Sequence, residues 1–275
     1  MVVRVGLIGT GTVAQMMHLP ILDDLSGMYQ ITAVSDVSPS VLKAISEKYH
    51  AKAYTSPLDL CKAEDVDAVF VLSPDQYHAE YAKAAIEAGK HVFVEKPVCL
   101  CPQELEELIE LQKSHPNQIC MVGYMRRFAT GFLKCQELLA ADDRPIEYMR
   151  FRDIILEGDY FMDQARQPIL AQNDIPAEAI EESGKRRYDQ LCQALGADCT
   201  EQQRITYTML AGLGCHPPSP GLYDRKAGWL GWPATPCRLS VSWLAMCPRS
   251  SRLPLTASML SSYSSSRASW AYTRS

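Results

Sequence analysis

The chain has 275 residues, of which 47% are hydrophobic and 21% are charged, and its formal net charge is −5. These values are typical of a soluble globular protein with one large domain or two ordinary ones. They give no electrostatic reason to expect a nucleic acid or an anionic membrane as a partner.

The sequence does not predict export, membrane insertion or metal binding. An apolar strand begins at residue 2, which leaves no room for a cleaved signal peptide, and no apolar run approaches the roughly 18 residues of a membrane span. The ten cysteines are scattered, and Cys99 and Cys101 do not have zinc-site spacing. We therefore expect a cytoplasmic protein with reduced thiols and no metal.

The beginning of the chain predicts a strand, a glycine-containing turn and a helix. An apolar run over 2–8 leads into this turn, and a helix is predicted over 14–25. We call the connecting residues the glycine turn: Gly9, Thr10, Gly11, Thr12, Val13 and Ala14. In a dinucleotide site Gly9 permits the tight turn, Gly11 lets the backbone approach the pyrophosphate, and Ala14 allows close helix–strand packing. An ordinary turn is the alternative.

A second apolar strand, predicted over 30–34, ends close to Asp36. This residue lies 22 positions beyond Ala14, where a Rossmann unit places the acid that binds the adenosine ribose. Neither Val37 nor Ser38 is a cation that would pair with a 2′-phosphate, and the Asp36 carboxylate would repel one. NAD is therefore favoured over NADP. The alternative is that Asp36 caps the turn before a helix predicted over 40–50.

Further strands alternate with helices along the next part of the chain. A short strand is expected near Ala53, and longer ones over 67–72, 91–94 and 118–122; the intervening helices are predicted over 78–88 and 102–113. This alternation indicates a doubly wound parallel sheet. Because the carboxyl ends of parallel strands face the ligand crevice, the loop after residue 72 should border the cofactor through Ser73, Pro74 and Asp75.

Four short motifs occur in order and at matching spacing: Gly9-Thr10-Gly11, Ser73-Pro74-Asp75-Gln76-Tyr77-His78, Ala88-Gly89-Lys90-His91-Val92 and Glu95-Lys96-Pro97. Together they resemble the Gfo/Idh/MocA oxidoreductases, the glucose–fructose oxidoreductase and inositol dehydrogenase group. The resemblance implies an α/β fold with an N-terminal Rossmann domain and a following α+β substrate domain. It also implies NAD(P)-dependent hydride transfer between nicotinamide and a sugar- or polyol-like secondary alcohol.

The resemblance extends to site residues of the first domain. Lys96 matches the family lysine that lies beside the nicotinamide and the substrate hydroxyl, and Glu95 and Pro97 resemble the residues that orient it. An ammonium at this place polarises the substrate oxygen. His78, in the second motif, is expected at the cofactor.

A basic stretch follows the sixth predicted strand. Residues 123–128 resemble the family sequence at the junction between the nucleotide domain and the substrate domain. There Arg126 and Arg127 would bind cofactor or substrate oxygens. Surface salt bridges are the alternative for both arginines.

The resemblance also implies a catalytic base. The family carries a DxxxH pair whose histidine accepts the proton of the substrate hydroxyl; His216 matches this histidine, whereas Gly212 stands in place of the acid. A carboxylate partner normally orients such a histidine and increases its basicity. His216 is therefore a candidate base that lacks the carboxylate partner of the family's histidine.

The second half of the chain is less regular. A helix is predicted over 132–140, a strand over 146–155, and a polar helical stretch over 166–204 with breaks at Gly184 and Gly196. Residues 217–275 contain one acid, seven Lys or Arg, all four tryptophans and thirteen serines. This composition does not resemble the family's C-terminal sheet and fits a shifted reading frame or a disordered tail.

The expected organisation has three parts. Residues 1–124 form the NAD(P)-binding domain, 125–216 an incomplete α+β substrate or dimerisation domain, and 217–275 an atypical tail. The expected partners are NAD and a carbohydrate or polyol, and homo-oligomers are expected only if the C-terminal sheet is present. The alternatives to an active oxidoreductase are a non-catalytic dinucleotide-binding protein and an inactive truncated product.

Overall fold

The computed structural model of the chain describes residues 2–141 and 169–212. Its centre is a parallel sheet with the strand order β3-β2-β1-β4-β5-β6. The strands are β1 (Val3–Ile8), β2 (Tyr29–Ser35), β3 (Lys52–Tyr54), β4 (Ala68–Val71), β5 (His91–Val94) and β6 (Cys120–Val122). This order is that of the doubly wound Rossmann sheet. The predicted N-terminal fold is confirmed.

Helices follow the strands on both sides of the sheet. A π-helical turn over Ala14–His18 leads directly into the first α-helix, so the single helix predicted over 14–25 consists of two segments. The α-helices are α1 (Leu19–Asp24), α2 (Pro39–Tyr49), α3 (Pro57–Cys61), α4 (His78–Glu87), α5 (Pro102–Ser114), α6 (Thr130–Ala140), α7 (Ala177–Leu195) and α8 (Glu201–Gly212).

The core lies on both faces of the sheet. On one face α3, α4 and α5 contribute Leu60, Ile86 and Leu108. On the other face α1 and α2 contribute Leu22 and Ile45. Strands covered on both faces have continuous apolar runs, which is why their positions could be predicted. The packed sheet holds the carboxyl ends of its strands at one edge.

The sequence pattern does not predict α3. This helix has only five residues, too few to show a hydrophobic period. It begins where the hydroxyl of Ser56 accepts a hydrogen bond from the backbone N–H of Asp59 at 3.2 Å. Its last two side chains, Leu60 and Cys61, are completely buried, so tertiary packing stabilises it.

The predicted helix break at Gly184 is wrong, because α7 continues through this residue. Glycine inside a helix costs about 1 kcal/mol relative to alanine. Contacts on either side of Gly184 offset that cost: Ser183 accepts a hydrogen bond from Gln76, and Arg187 pairs with Asp75 at 3.0 Å. The helix does end before Gly196, whose φ of 104° favours glycine.

The helices after residue 168 pack against the part of the chain that contains the sheet. Gln190 on α7 donates to the carbonyl of Gln76 at 3.0 Å, and the hydroxyl of Tyr207 on α8 donates to the carbonyl of Leu100 at 3.0 Å. The strand predicted over 146–155, His216 and the tail over 217–275 lie outside the described residues. The domain boundaries remain a prediction.

Within residues 2–141 and 169–212, no helix is long and apolar enough to cross a membrane. In the same ranges no three His, Cys, Asp or Glu side chains are grouped as metal ligands would be. The seven cysteines described there carry free thiols.

Candidate functional site

The glycine turn passes close to the carboxyl ends of three strands. The backbone N–H of Gly9 donates to the carbonyl of Ser35, at the end of β2, over 2.8 Å. Gly9 has a φ of 86°, and a Cβ atom on it would lie 2.7 Å from the backbone nitrogen of Ser73, just after β4. Only glycine fits both the dihedral angle and the space. The turn therefore has the tight geometry expected of it.

Asp36 connects the end of β2 to the glycine turn. One carboxylate oxygen accepts hydrogen bonds from the backbone N–H and the hydroxyl of Thr10, at 2.6 and 3.0 Å. The other accepts from the backbone N–H of Ser38 at 2.9 Å. The residue that caps α2 is Ser38, whose hydroxyl accepts from Val41. Asp36 thus shapes the turn before α2, and its ribose-binding role remains a prediction.

The rest of the glycine turn presents small or exposed groups at the sheet edge. Thr12 and Val13 are exposed, whereas Ala14 is 1% exposed and packs into the core. A Cβ atom on Gly11 would meet the side-chain oxygen of Gln172 at 3.0 Å. The space in front of Gly11 is thus bounded by the end of a flexible side chain and not by the backbone.

His78 joins the loops that follow β4 and β5. Its ring is 2% exposed and lies between two carbonyl oxygens, that of Ser73 at 2.7 Å from Nε2 and that of Pro97 at 2.6 Å from Nδ1. The Lys96–Pro97 peptide bond is cis. The ring therefore sets the spacing of the Ser73 and Lys96 loops, and its predicted contact with the cofactor remains untested.

The side chain of Asp75 is directed to α7. Its Oδ2 pairs with Nη2 of Arg187 at 3.0 Å. Pro74, which precedes it, leads into the 3₁₀ turn Asp75–Tyr77. This loop therefore links the sheet edge to the C-terminal helices.

Glu95 and His18 form a buried pair beside Lys96. Nε2 of His18 and Oε1 of Glu95 are 2.8 Å apart, and Oε2 of Glu95 accepts the backbone N–H of Lys96 at 3.1 Å. Burial raises the pKa of Glu95, but the hydrogen bonds and charges of His18 and Lys96 together outweigh this and the pKa falls below its usual value. Glu95 is therefore a buried carboxylate that fixes the backbone at Lys96.

Sequence reasoning missed His18. A usable signal was present, since His18 lies four residues after Ala14 and so on the same inward face of the helix. Its ring packs edge-on against Phe93 at a centroid distance of 5.2 Å. A π-helical turn, such as the one that ends at His18, often occurs at functional sites.

Lys96 meets the C-terminus of α8. Its Nζ donates to the carbonyl oxygen of Gly212 at 2.9 Å. Gly212, which the sequence resemblance predicts to stand in place of the family's acid, thus lies beside the lysine and offers it a backbone carbonyl. Four positions separate Gly212 from His216.

The two arginines after β6 belong to a 3₁₀ turn over Met125–Phe128. The guanidinium of Arg127 lies over the ring of Phe128 at 5.1 Å, and burial lowers the pKa of Arg127. Both arginines have further interactions. Their binding roles remain predictions.

The sequence of this domain matches a known family. A family model described as "Oxidoreductase family, NAD-binding Rossmann fold" (GFO_IDH_MocA) matches residues 3–124. Over this segment the chain is similar to the Gfo/Idh/MocA oxidoreductases. The matched range contains the glycine turn, Asp36, Lys96 and all six strands.

Curated relatives match about half of the chain. An inositol 2-dehydrogenase/D-chiro-inositol 3-dehydrogenase of Shouchella clausii is 39% identical over 142 residues, which are 50% of this chain and 40% of that protein. An inositol 2-dehydrogenase 3 of Saccharopolyspora erythraea is 36% identical over 141 residues, 51% of this chain and 41% of that protein. The matched region therefore spans about two fifths of these relatives.

A solved structure also matches. A scyllo-inositol dehydrogenase from Lactobacillus casei, crystallised with NAD(H) and scyllo-inositol, is 26% identical with a TM-score of 0.49. That match covers 51% of this chain and 42% of the other.

Proposed function

We propose that the chain binds NAD at the carboxyl edge of its sheet. The observation that carries this proposal is the glycine turn, in which Gly9 has a φ of 86° against β4 and Thr10 is tied to Asp36 at 2.6 Å. The backbone of residues 9–13 would hold the pyrophosphate, and Asp36 the adenosine ribose. The nicotinamide half would extend toward Ser73 and Lys96. The donors and acceptors present fit NAD.

We further propose that the whole protein is an oxidoreductase for a polyol-like secondary alcohol. When bound, the nicotinamide supplies the hydride acceptor or donor. Lys96 would hold the substrate oxygen: an ammonium has three donors, and Gly212 takes one of them. The names of the two curated relatives described above, both inositol dehydrogenases, support a cyclic polyol as substrate.

His216 would take the proton of the substrate hydroxyl. The position of His216 in the chain supports this role. Gly212 contacts Lys96, and the four residues from Gly212 to His216 span at most about 14 Å. A histidine without a carboxylate partner lacks the group that fixes its tautomer. Turnover by this chain should therefore be slow even where cofactor binding is intact.

A second function is a non-catalytic dinucleotide-binding protein. The observation in its favour is that Lys96 is held by a backbone carbonyl at Gly212, where the family has a carboxylate. Such a protein would keep the glycine turn and Asp36 but would not turn over substrate. We also infer that the protein acts in the cytoplasm, which the free thiols of its seven described cysteines support.

Reduction of NAD in the presence of inositols, aldoses and dihydrodiols separates the two functions. The oxidoreductase predicts slow formation of NADH that disappears in Lys96→Ala and in His216→Ala. Lys113→Ala, which removes an exposed lysine of α5, should keep the activity. NAD binding without turnover by the wild-type chain would favour the second function, and turnover that survives Lys96→Ala would overturn the role of Lys96.

A further inference from the structure

A segment from the second half of the chain lies against the predicted adenosine end of the site. We call residues 169–174 the strap. The backbone N–H of Leu170 donates to Oε1 of Gln15 at 2.7 Å, and Gln15 donates back to the Leu170 carbonyl at 3.2 Å. Nε2 of Gln172 donates to Oδ1 of Asp36 at 2.8 Å. Alternate residues of the strap thus contact the first helix and the end of β2.

The strap ends on the first turn of α2. The carboxylate of Asp174 accepts a hydrogen bond from the hydroxyl of Ser38 and another from the backbone N–H of Ser40, the latter at 2.8 Å. These two donors lie two and four positions after Asp36 in the chain. Asp174 therefore places a second carboxylate beside the one expected to bind the ribose.

The position matters because NAD and NADP differ only at the 2′ oxygen of this ribose. If Asp36 holds the ribose hydroxyls, a phosphate on the 2′ oxygen needs donors just beyond Asp36. The Ser38 hydroxyl and the Ser40 N–H are donors at that place, and in the absence of an acid they would suit a phosphate. In this structure both groups donate hydrogen bonds to the carboxylate of Asp174.

The charge of Asp174 is maintained at neutral pH. The hydrogen bond from the Ser38 hydroxyl and that from the Ser40 N–H lower the pKa of Asp174, although the side chain is exposed. Gln172 is different, since its amide is neutral and flexible and is able to give way to a ribose hydroxyl. The strap thus tolerates NAD and opposes a phosphate.

We propose that Asp174 is a specificity-determining residue, whose carboxylate takes the donors that a 2′-phosphate needs and repels that phosphate, so that the chain selects NAD over NADP. The proposal rests on the proposed function, because it places the ribose at Asp36. It adds a determinant that lies 138 positions beyond Asp36 in the sequence.

Calorimetric titration of the full chain with NADH and with NADPH tests the proposal. Asp174→Asn keeps the shape of the side chain and removes its charge. We expect the Kd for NADPH to fall by about tenfold, as one fewer negative charge next to a phosphate implies, with little change for NADH. Asp174→Ser is a second variant that removes the charge and should act in the same direction.

Glu64→Gln is the matched control. It removes one negative charge at an exposed position just before the amino end of β4, on the opposite edge of the sheet, and should leave both Kd values unchanged. Unchanged NADPH affinity in both Asp174 variants, or equal gains for the two dinucleotides, would overturn the proposal while leaving NAD binding intact. Failure of the wild-type chain to bind either dinucleotide would overturn the proposed function as well.

Discussion

At the scale of single residues, Asp36 is the group on which the cofactor site depends. A carboxylate has about four acceptor positions. In this structure they receive two hydrogen bonds from Thr10, one from Ser38 and one from Gln172. The bonds from Thr10 tie Asp36 to the glycine turn and the bond from Ser38 shapes the turn before α2, so the ribose hydroxyls would replace Gln172. The sequence predicts Asp36 from its spacing, but it gives no sign of Gln172.

Replacing Asp36 by alanine should weaken NAD binding and reduce discrimination against NADP. The loss for NAD is expected to be roughly 1–3 kcal/mol, the contribution of a hydrogen bond to a charged group. Titration with both reduced dinucleotides measures it. Asp36→Asn serves as the control of the same shape, with a smaller loss for NAD. If both cofactors lose the same affinity in Asp36→Ala, Asp36 has only a structural role.

The pair of Glu95 and His18 predicts a pH effect. The pKa of Glu95 is lowered in the folded chain, so its ionised form contributes stability above the ordinary value of about 4.3 and loses it as the pH falls. In His18→Ala burial still raises the pKa of Glu95, and only the hydrogen bond and charge of Lys96 remain to lower it. We expect this variant to lose about 1–3 kcal/mol of unfolding free energy at neutral pH, and the difference from wild type to shrink below about pH 4.

Urea unfolding from neutral to acidic pH measures this difference. His50→Asn, at the far end of α2, removes a histidine that does not contact Glu95 and is the control. A loss in His18→Ala that is the same at every pH would contradict the electrostatic explanation.

At the scale of secondary-structure elements, the sequence predicts the helices and strands that show a hydrophobic pattern and misses the segments that lack one. The buried strands are apolar runs, and α2, α4 and α5 are long enough to show an amphipathic pattern. α3 is too short for one. The strap has polar contacts with residues more than 130 positions away, such as Asp174 with Ser38, and no local pattern encodes them.

Replacing Gly9 and Gly184 by alanine should change the stability of the chain in opposite directions. Gly9 combines positive φ with a 2.7 Å approach to the backbone, so Gly9→Ala should cost about 1–3 kcal/mol or more. At Gly184, inside α7, a Cβ atom would meet nothing within 4 Å, so Gly184→Ala should stabilise by about 0.5–1 kcal/mol. Denaturant unfolding of both variants tests this pair. Destabilisation by Gly184→Ala would show that the helical glycine has a role that the structure does not account for.

At the scale of the whole molecule, the two halves of the proposed chemistry have different support. The sheet edge carries the glycine turn, Asp36 and Lys96 within the matched range 3–124. The proposed base, His216, follows the last described residue, and only the contact of Lys96 with Gly212 connects it to the site. Sequence motifs therefore predict the cofactor half residue by residue, whereas the contact that brings Gly212 to Lys96 is non-local and no motif specifies it.

The most direct test of the account is a titration of the full chain with NADH. Gly11→Leu fills the space before the glycine turn, where only the end of Gln172 now bounds it. Gly131→Leu adds the same side chain on α6, where a Cβ atom would meet nothing within 4 Å. We predict saturable binding to the wild-type chain and to Gly131→Leu, and its loss in Gly11→Leu. Binding that is absent from the wild-type chain, or equally strong in Gly11→Leu, would contradict the account.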